Sequence, residues 1–257
     1  MAFKVLIYLI AGLGAGVGTG LAGLSAAAVI SPMLITFLGV PAYEAVGISL
    51  ASDVLASAVS AYTYGKNKNL DIKNGLIMLA SVLVFTMVGS YIASLVPNQT
   101  MGGFSVVMTL LLGLKFILRP VMTTKEQNAD KSARTKAVQS LCCGILIGFI
   151  CGFIGAGGGM MLLLILTSVL GYELKTAVGT SVFIMAFTAF TGAVSHMVIG
   201  GLPDLFALVC CVVFTLLGAR VAALFANKAE PAKLNRVTGW VLTVLGAAMV
   251  LMKLFGA

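Results

Sequence analysis

Thr123-Thr124-Lys125-Glu126-Gln127-Asn128-Ala129-Asp130-Lys131-Ser132-Ala133-Arg134-Thr135-Lys136 is the one long hydrophilic stretch in a chain of 257 residues that is 60% hydrophobic and 9% charged. On either side the sequence falls into apolar runs. They lie at about 4–21, 24–39, 42–64, 72–96 and 101–119 before the stretch, and about 137–154, 157–171, 173–199, 204–227 and 233–255 after it. A mean hydropathy of +1.11 is more than a soluble core can hide, so the solvent of this chain is lipid. Five runs, a polar linker and five more runs predict a duplicated, all-α integral membrane protein. The expected organisation is a first transmembrane repeat over 1–119, a cytoplasmic linker over 120–136 and a second repeat over 137–257.

Comparison of the halves supports duplication. Gly12, Gly16, Gly20, Gly23, Gly39, Ala45, Val46, Gly47, Ser49 and Leu70 match Gly144, Gly148, Gly152, Gly155, Gly171, Ala177, Val178, Gly179, Ser181 and Leu202 at a constant offset of 132. The second run of each half, 24–39 and 157–171, falls short of the roughly 20 residues that a straight span needs. Each is therefore expected to be a half-helix or re-entrant segment, with the Gly-rich stretch before it as the break. Orientation follows from the cations of the loops. Arg119, Lys125, Lys131, Arg134 and Lys136 place the linker in the cytoplasm. An odd number of crossings per half then puts Lys66, Lys68, Lys73, Lys175, Lys228, Lys233 and Arg236 on the same side, with both termini outside. An odd number also makes the repeats inverted, an arrangement that brings broken segments together near the bilayer midplane.

Several function classes are disfavoured by composition. The net charge of +8 comes from Lys and Arg in short loops between apolar runs, which fits membrane orientation and not nucleic-acid binding. Cys142, Cys143, Cys151, Cys210 and Cys211 lie within apolar runs, and a single His leaves no set of zinc ligands, so neither disulfides nor a metal or other cofactor is expected. The first 25 residues read as a membrane segment, because their glycine spacing recurs later, and not as a removed signal.

Two features can carry chemistry. Gly155-Ala156-Gly157-Gly158-Gly159 opens an apolar helix, where unobstructed backbone N–H groups and the positive end of the helix dipole can hold an oxyanion. The alternative is close helix packing through small residues. The first-half copy, Gly23-Leu24-Ser25-Ala26-Ala27, has lost the glycines at 25–27, so the site is expected to be asymmetric. The second feature is a polar stripe, Ser49, Asp53, Ser57 and Ser60, at helical spacing on the third run. A carboxyl in mid-membrane is protonated, paired or facing water, and Asp53 reads either as a proton-coupling group or as a neutral acid hydrogen-bonded to its serines. Its counterpart is Met185, on a stripe of Thr180, Ser181, Thr188, Thr191 and Ser195. Arg220 can attract anions or anchor at headgroup depth, and His196 reads as an interfacial His or a pH sensor. Pro32 is expected to bend the first short segment.

With the repeated glycine cluster, Ala177-Val178-Gly179-Thr180-Ser181 and Leu217-Gly218-Ala219-Arg220, the chain resembles the TauE/SafE family of sulfite exporters and related anion permeases over nearly its whole length. The resemblance implies a carrier of the bacterial cytoplasmic (inner) membrane for sulfite, organosulfonates or similar small sulfur anions, with export as the expected direction. Taken with the residues, it predicts a secondary transporter whose anion sits by Ser25, Gly155, Gly157, Gly158 and Gly159. Ser49, Thr180 and Ser181 supply hydroxyl donors, Arg220 supplies a cation and Asp53 carries a proton. The partners expected are that anion, the bilayer and, as one option, a second copy in a homodimer. A channel with a continuous polar pore is the alternative. An enzyme is the weaker one, since no nucleophile, base and orienting group cluster in the sequence.

Overall fold

The computed structural model describes residues 2–97, 133–154 and 158–228, with isolated positions 111, 114, 118, 230, 236, 240, 243, 244 and 247. The fifth runs of both halves, most of the linker and the break residues 155–157 therefore lie outside the described residues, apart from those positions. Among the described residues the structure is all helical. The first half gives α1 (Ala2–Ala22), α2 (Ala27–Leu38), α3 (Ala42–Lys66) and α4 (Ile72–Ser94). The second gives α5 (Ala133–Ile154), α6 (Gly158–Leu164) continuing into a π-helical turn (Ile165–Val169), α7 (Leu174–Gly200) and α8 (Leu205–Ala226). Helices α1, α3, α4, α7 and α8 are long and apolar enough to cross a membrane, and this is a multi-pass membrane protein.

The second segments are short, as their runs predict. With 12 residues, α2 rises only about 18 Å against a hydrocarbon core of about 30 Å. Its limits are set by two glycines that adopt the left-handed conformation costly for other residues. Gly23 (φ +64°) ends α1 by donating its N–H to the Thr19 carbonyl at 2.9 Å, and Gly39 (φ +65°) ends α2 by donating to the Leu34 carbonyl. Gly171, the partner of Gly39 at the 132-residue offset, repeats the device with φ +70° after the π turn.

The main helix pairings cross between the halves: α1 on α8, α4 on α5 and α3 on α7. Lipid supplies no hydrophobic force between helices, so association depends on close van der Waals contact over small residues. The duplicated glycines provide it. A Cβ on Gly16 would collide with the Thr215 carbonyl and lie 2.7 Å from Ala219 N, and one on Gly20 would lie 2.8 Å from Ala223 N. In the other half, Gly148 abuts the Val82 carbonyl, and a Cβ on Gly152 would lie 2.8 Å from Ser90 N. Gly12, Gly16 and Gly20 thus seat α1 on α8 as Gly144, Gly148 and Gly152 seat α5 on α4.

Helices α3 and α7 run antiparallel, since Gly47 packs on His196, Gly192 on Leu50 and Gly179 on Tyr64. Their ends define two faces of the molecule. At the lysine end, Asn69 Nδ2 donates to Asn227 Oδ1 (3.0 Å) and Lys175 Nζ to the Asn227 carbonyl (2.9 Å). At the opposite end, Asp204 N donates to Glu44 Oε1 (3.0 Å), and Tyr8 meets Phe206 edge to face.

Candidate functional site at the paired helix breaks

Between α1 and α2 the chain turns through Gly23-Leu24-Ser25-Ala26 in the protein interior. Ser25 Oγ accepts the Ala27 N–H (3.3 Å), which satisfies one of the amides left open at the start of α2. The same hydroxyl donates to Asp53 Oδ2 at 2.9 Å. The other oxygen, Oδ1, receives Ser57 Oγ at 3.0 Å and has Thr19 Oγ1 at 3.5 Å, and the Ala26 backbone N–H also donates to this carboxyl. Asp53 is 1% exposed, and no cation pairs with it among the described residues. The carboxyl halfway along α3 thus occupies the place at the amino end of α2 where sequence reasoning expects an anion.

The second break lies against the first. A Cβ on Gly159 would sit 2.7 Å from Ser25 N and would collide with the Gly23 carbonyl and the sulfur of Met185. Met185 therefore faces Gly159 as Asp53, its counterpart, faces Ser25. A Cβ on Gly158 would lie 2.9 Å from Cys151 Cβ, and Cys151, the counterpart of Thr19, is within electrostatic reach of Asp53. Gly155 and Gly157 fall outside the described residues. Of the two readings that the sequence sets as alternatives, close packing is what the contacts of Gly159 display.

The remaining predicted residues separate into groups. Ser181 donates to the Val178 carbonyl (2.8 Å) and borders Gly23, so it belongs to the junction. Ser49 donates to the Ala45 carbonyl (2.5 Å) and pairs with Ser31 of α2 at 2.7 Å. Thr180 turns toward α4, where its Oγ1 accepts the Asp71 N–H at 3.0 Å. Arg220 lies on the exposed face of α8 beside Val221, on the side opposite the Gly218 and Ala219 contacts with α1. Sequence reasoning missed Thr19 and Ser31, and it named Met185 as the counterpart of Asp53 without its contact with Gly159. Thr19 and Ser31 were the only hydroxyls near the first break besides Ser25, a signal that polarity alone offered.

Outside the membrane-spanning segments, Asp71 ties the lysine end together. It caps α4 by accepting Asn74 N (3.1 Å) and takes the Tyr172 hydroxyl at 2.8 Å. Burial pulls its pKa up, but hydrogen bonds from the Asn74 side chain, the Asn74 and Lys73 backbone and Tyr172 outweigh this and hold it below the usual carboxylate value.

Two cavities flank the α3–α7 pair. One of about 270 Å³ lies at the end opposite the lysines, between Tyr43, Glu44, Gly47, His196 and the turn at Gly200-Gly201. His196 is buried there, its ring stacked on Tyr43 with centroids 4.3 Å apart. Its Nδ1 faces the Gly192 carbonyl at 3.0 Å, whereas Nε2 has no partner among the described residues. The other cavity, about 600 Å³, lies toward the lysine end. Neither is lined by the junction residues. Ser25, Asp53 and Ser57 are all buried, so the described part of the junction is closed to solvent.

The family model described as sulfite exporter TauE/SafE matches residues 8–249. Among relatives, the chain is similar to the probable membrane transporter protein YunE of Bacillus subtilis, with 28% identity covering 97% of this chain and 98% of that protein. It is also similar to the probable membrane transporter protein YdhB of the same organism, with 25% identity over 82% and 86% of the two chains. A probable membrane transporter protein of Methanocaldococcus jannaschii shares 26% identity over 74% and 72%. No solved structure matches the chain significantly.

Proposed function

The chain belongs to the sulfite exporter TauE/SafE family and is a membrane transporter, and we propose that it exports a small sulfur-containing oxyanion, sulfite or an organosulfonate, by a proton-linked carrier cycle. The observation that carries this reading is the Asp53 carboxyl bonded to Ser25, Ser57 and the Ala26 N–H where the two breaks meet. These donors suit an oxyanion, and Asp53 engages them in this structure.

An ionised Asp53 and a bound anion compete. Two unit charges 4 Å apart repel by about 4 kcal/mol at an effective dielectric of 20, close to a thousandfold in affinity. Protonation of Asp53 removes that repulsion and turns one carboxyl oxygen from acceptor to donor, which leaves the Ser25 hydroxyl and the Ala26 N–H for the oxyanion. The anion and a proton then move together, and release of the proton returns Asp53 to its donors and expels the cargo. Ser181 and Gly159 border the same donors from the second half, and Gly155 and Gly157, which lie outside the described residues, are proposed with them from the sequence alone. Binding through hydroxyls and amides, without a fixed cation, leaves the anion free to depart.

The crossed pairings, with α3 and α7 antiparallel, support two inverted repeats that rock about this junction. The closed junction favours a carrier that opens to one side at a time over a continuous pore. The test is uptake of labelled sulfite into proteoliposomes with and without a pH gradient. Wild-type protein should accumulate sulfite in response to the gradient, and Asp53→Asn should not. A variant whose uptake follows the gradient as the wild type does removes Asp53 from coupling.

A further inference from the structure

Toward the lysine end, α3 and α7 part to leave the cavity of about 600 Å³ as a groove on the apolar outer surface. Its floor is made by the small side chains of Ala58, Ala61 and Ala186, and its walls are Tyr62 and Phe187, which are 73% and 47% exposed. Lys66, in the last turn of α3, stands at the mouth, and Lys68 and Lys73 are exposed on the segment that follows.

From Ala58 to Lys66 the helix rises about 12 Å. The groove is therefore a short trench with an apolar floor, aromatic walls and an ammonium at one end. A volume of about 600 Å³ over small side chains leaves room for a hydrocarbon chain, which the apolar lining suits. In a bilayer such a trench does not hold water, because its walls offer few hydrogen-bond partners. The ammonium at its mouth favours a headgroup of net negative charge over a zwitterionic one, as basic residues at membrane interfaces do.

We propose that this groove is a binding site for an anionic phospholipid, with one acyl chain lying over Ala58, Ala61 and Ala186 and the phosphate held by Lys66. The site is independent of the anion pathway, because the groove and the Asp53 junction share no lining residue.

Native mass spectrometry of the full chain, purified in detergent and incubated with phosphatidylglycerol or phosphatidylcholine, tests the assignment. Wild-type protein should retain phosphatidylglycerol several-fold more than phosphatidylcholine after the detergent is stripped. Lys66→Gln should bring the two lipids to the same level, and Ala186→Trp, which fills the trench, should lose the adduct. Ala58→Trp fills it from the other helix, and a thermal melt of each variant establishes that it is folded. Equal retention of both lipids by the wild type, the sign of an unselective annulus, overturns the proposal. So does an adduct that persists in folded Ala186→Trp and Ala58→Trp proteins, or a doubled mass that those substitutions abolish, which would make a second copy the occupant.

Discussion

Asp53 has donors on both of its oxygens, drawn from α3 itself, from the break and from α1. A buried carboxyl that is satisfied by hydroxyls and an amide, with no cation beside it, keeps two protonation states within reach, because neither is locked by a full opposite charge. In the proposed cycle, Ser25 is the donor that this carboxyl and an incoming oxyanion share. A hydrogen bond to a charged group contributes about 1.5–3 kcal/mol. Ser25→Ala should therefore weaken organosulfonate binding, measured by calorimetry, roughly tenfold to a hundredfold. Ser60→Ala, which removes only a hydroxyl bonded to the Ala56 carbonyl of its own helix, should leave affinity unchanged. Equal losses in the two variants would mean that Ser25, like Ser60, acts through the stability of the fold and not through the anion.

Among the elements, α1 shows how the duplicated glycines work. A Cβ at Gly16 runs into the backbone of α8, whereas one at Gly14 meets only Val29 Cγ1 at 3.8 Å, an ordinary contact. Gly16→Ala should lower thermal stability in detergent by about 1–3 kcal/mol, the usual cost of overpacking, and Gly14→Ala should not. At the lysine end, Asp71 caps α4, and its pKa lies below the ordinary carboxylate value. The sign follows from that depression: its contribution is complete above the unfolded pKa of about 3.9 and is lost as pH falls through the lower folded value. Amide exchange in the first turn of α4 should accelerate at acid pH. Asp71→Asn, which caps without titrating, should remove the acid step. The limits of these elements were legible in the sequence. The run at 42–64 became Ala42–Lys66 and that at 204–227 became Leu205–Ala226, because lipid makes the edge between apolar and polar residues steep. The π turn at Ile165–Val169 was not legible, since an extra residue in a helical turn leaves no mark on an all-apolar segment.

Across the whole molecule, the lysines of the described loops, Lys66, Lys68, Lys73, Lys175 and Lys228, gather at one end, which the charge rule assigns to the cytoplasm. In a cysteine-free background, a membrane-impermeant maleimide should label Asn67→Cys only from the cytoplasmic side and Leu202→Cys only from the other; the reverse pattern would invert the orientation and with it the direction of export. Less of the candidate site than of the fold could be read in advance. The glycine break and the Asp53 stripe each stood out, but as separate features, because spacing along a helix does not say which distant segment its polar face meets. Only the fold shows that Ser25 and Asp53, far apart in sequence, form one hydrogen-bonded unit and that Met185 stands against Gly159 in the other half. From that unit comes the central claim, that the carboxyl of Asp53 and the transported anion exchange places on one set of donors. It is tested most directly by calorimetric binding of an organosulfonate, whose own charge is constant, as a function of pH. The account predicts that wild-type protein takes up a proton with each anion, so that affinity falls as pH rises, and that Asp53→Asn binds with no pH dependence. Wild-type affinity that is flat with pH, or a slope that survives in Asp53→Asn, would contradict it.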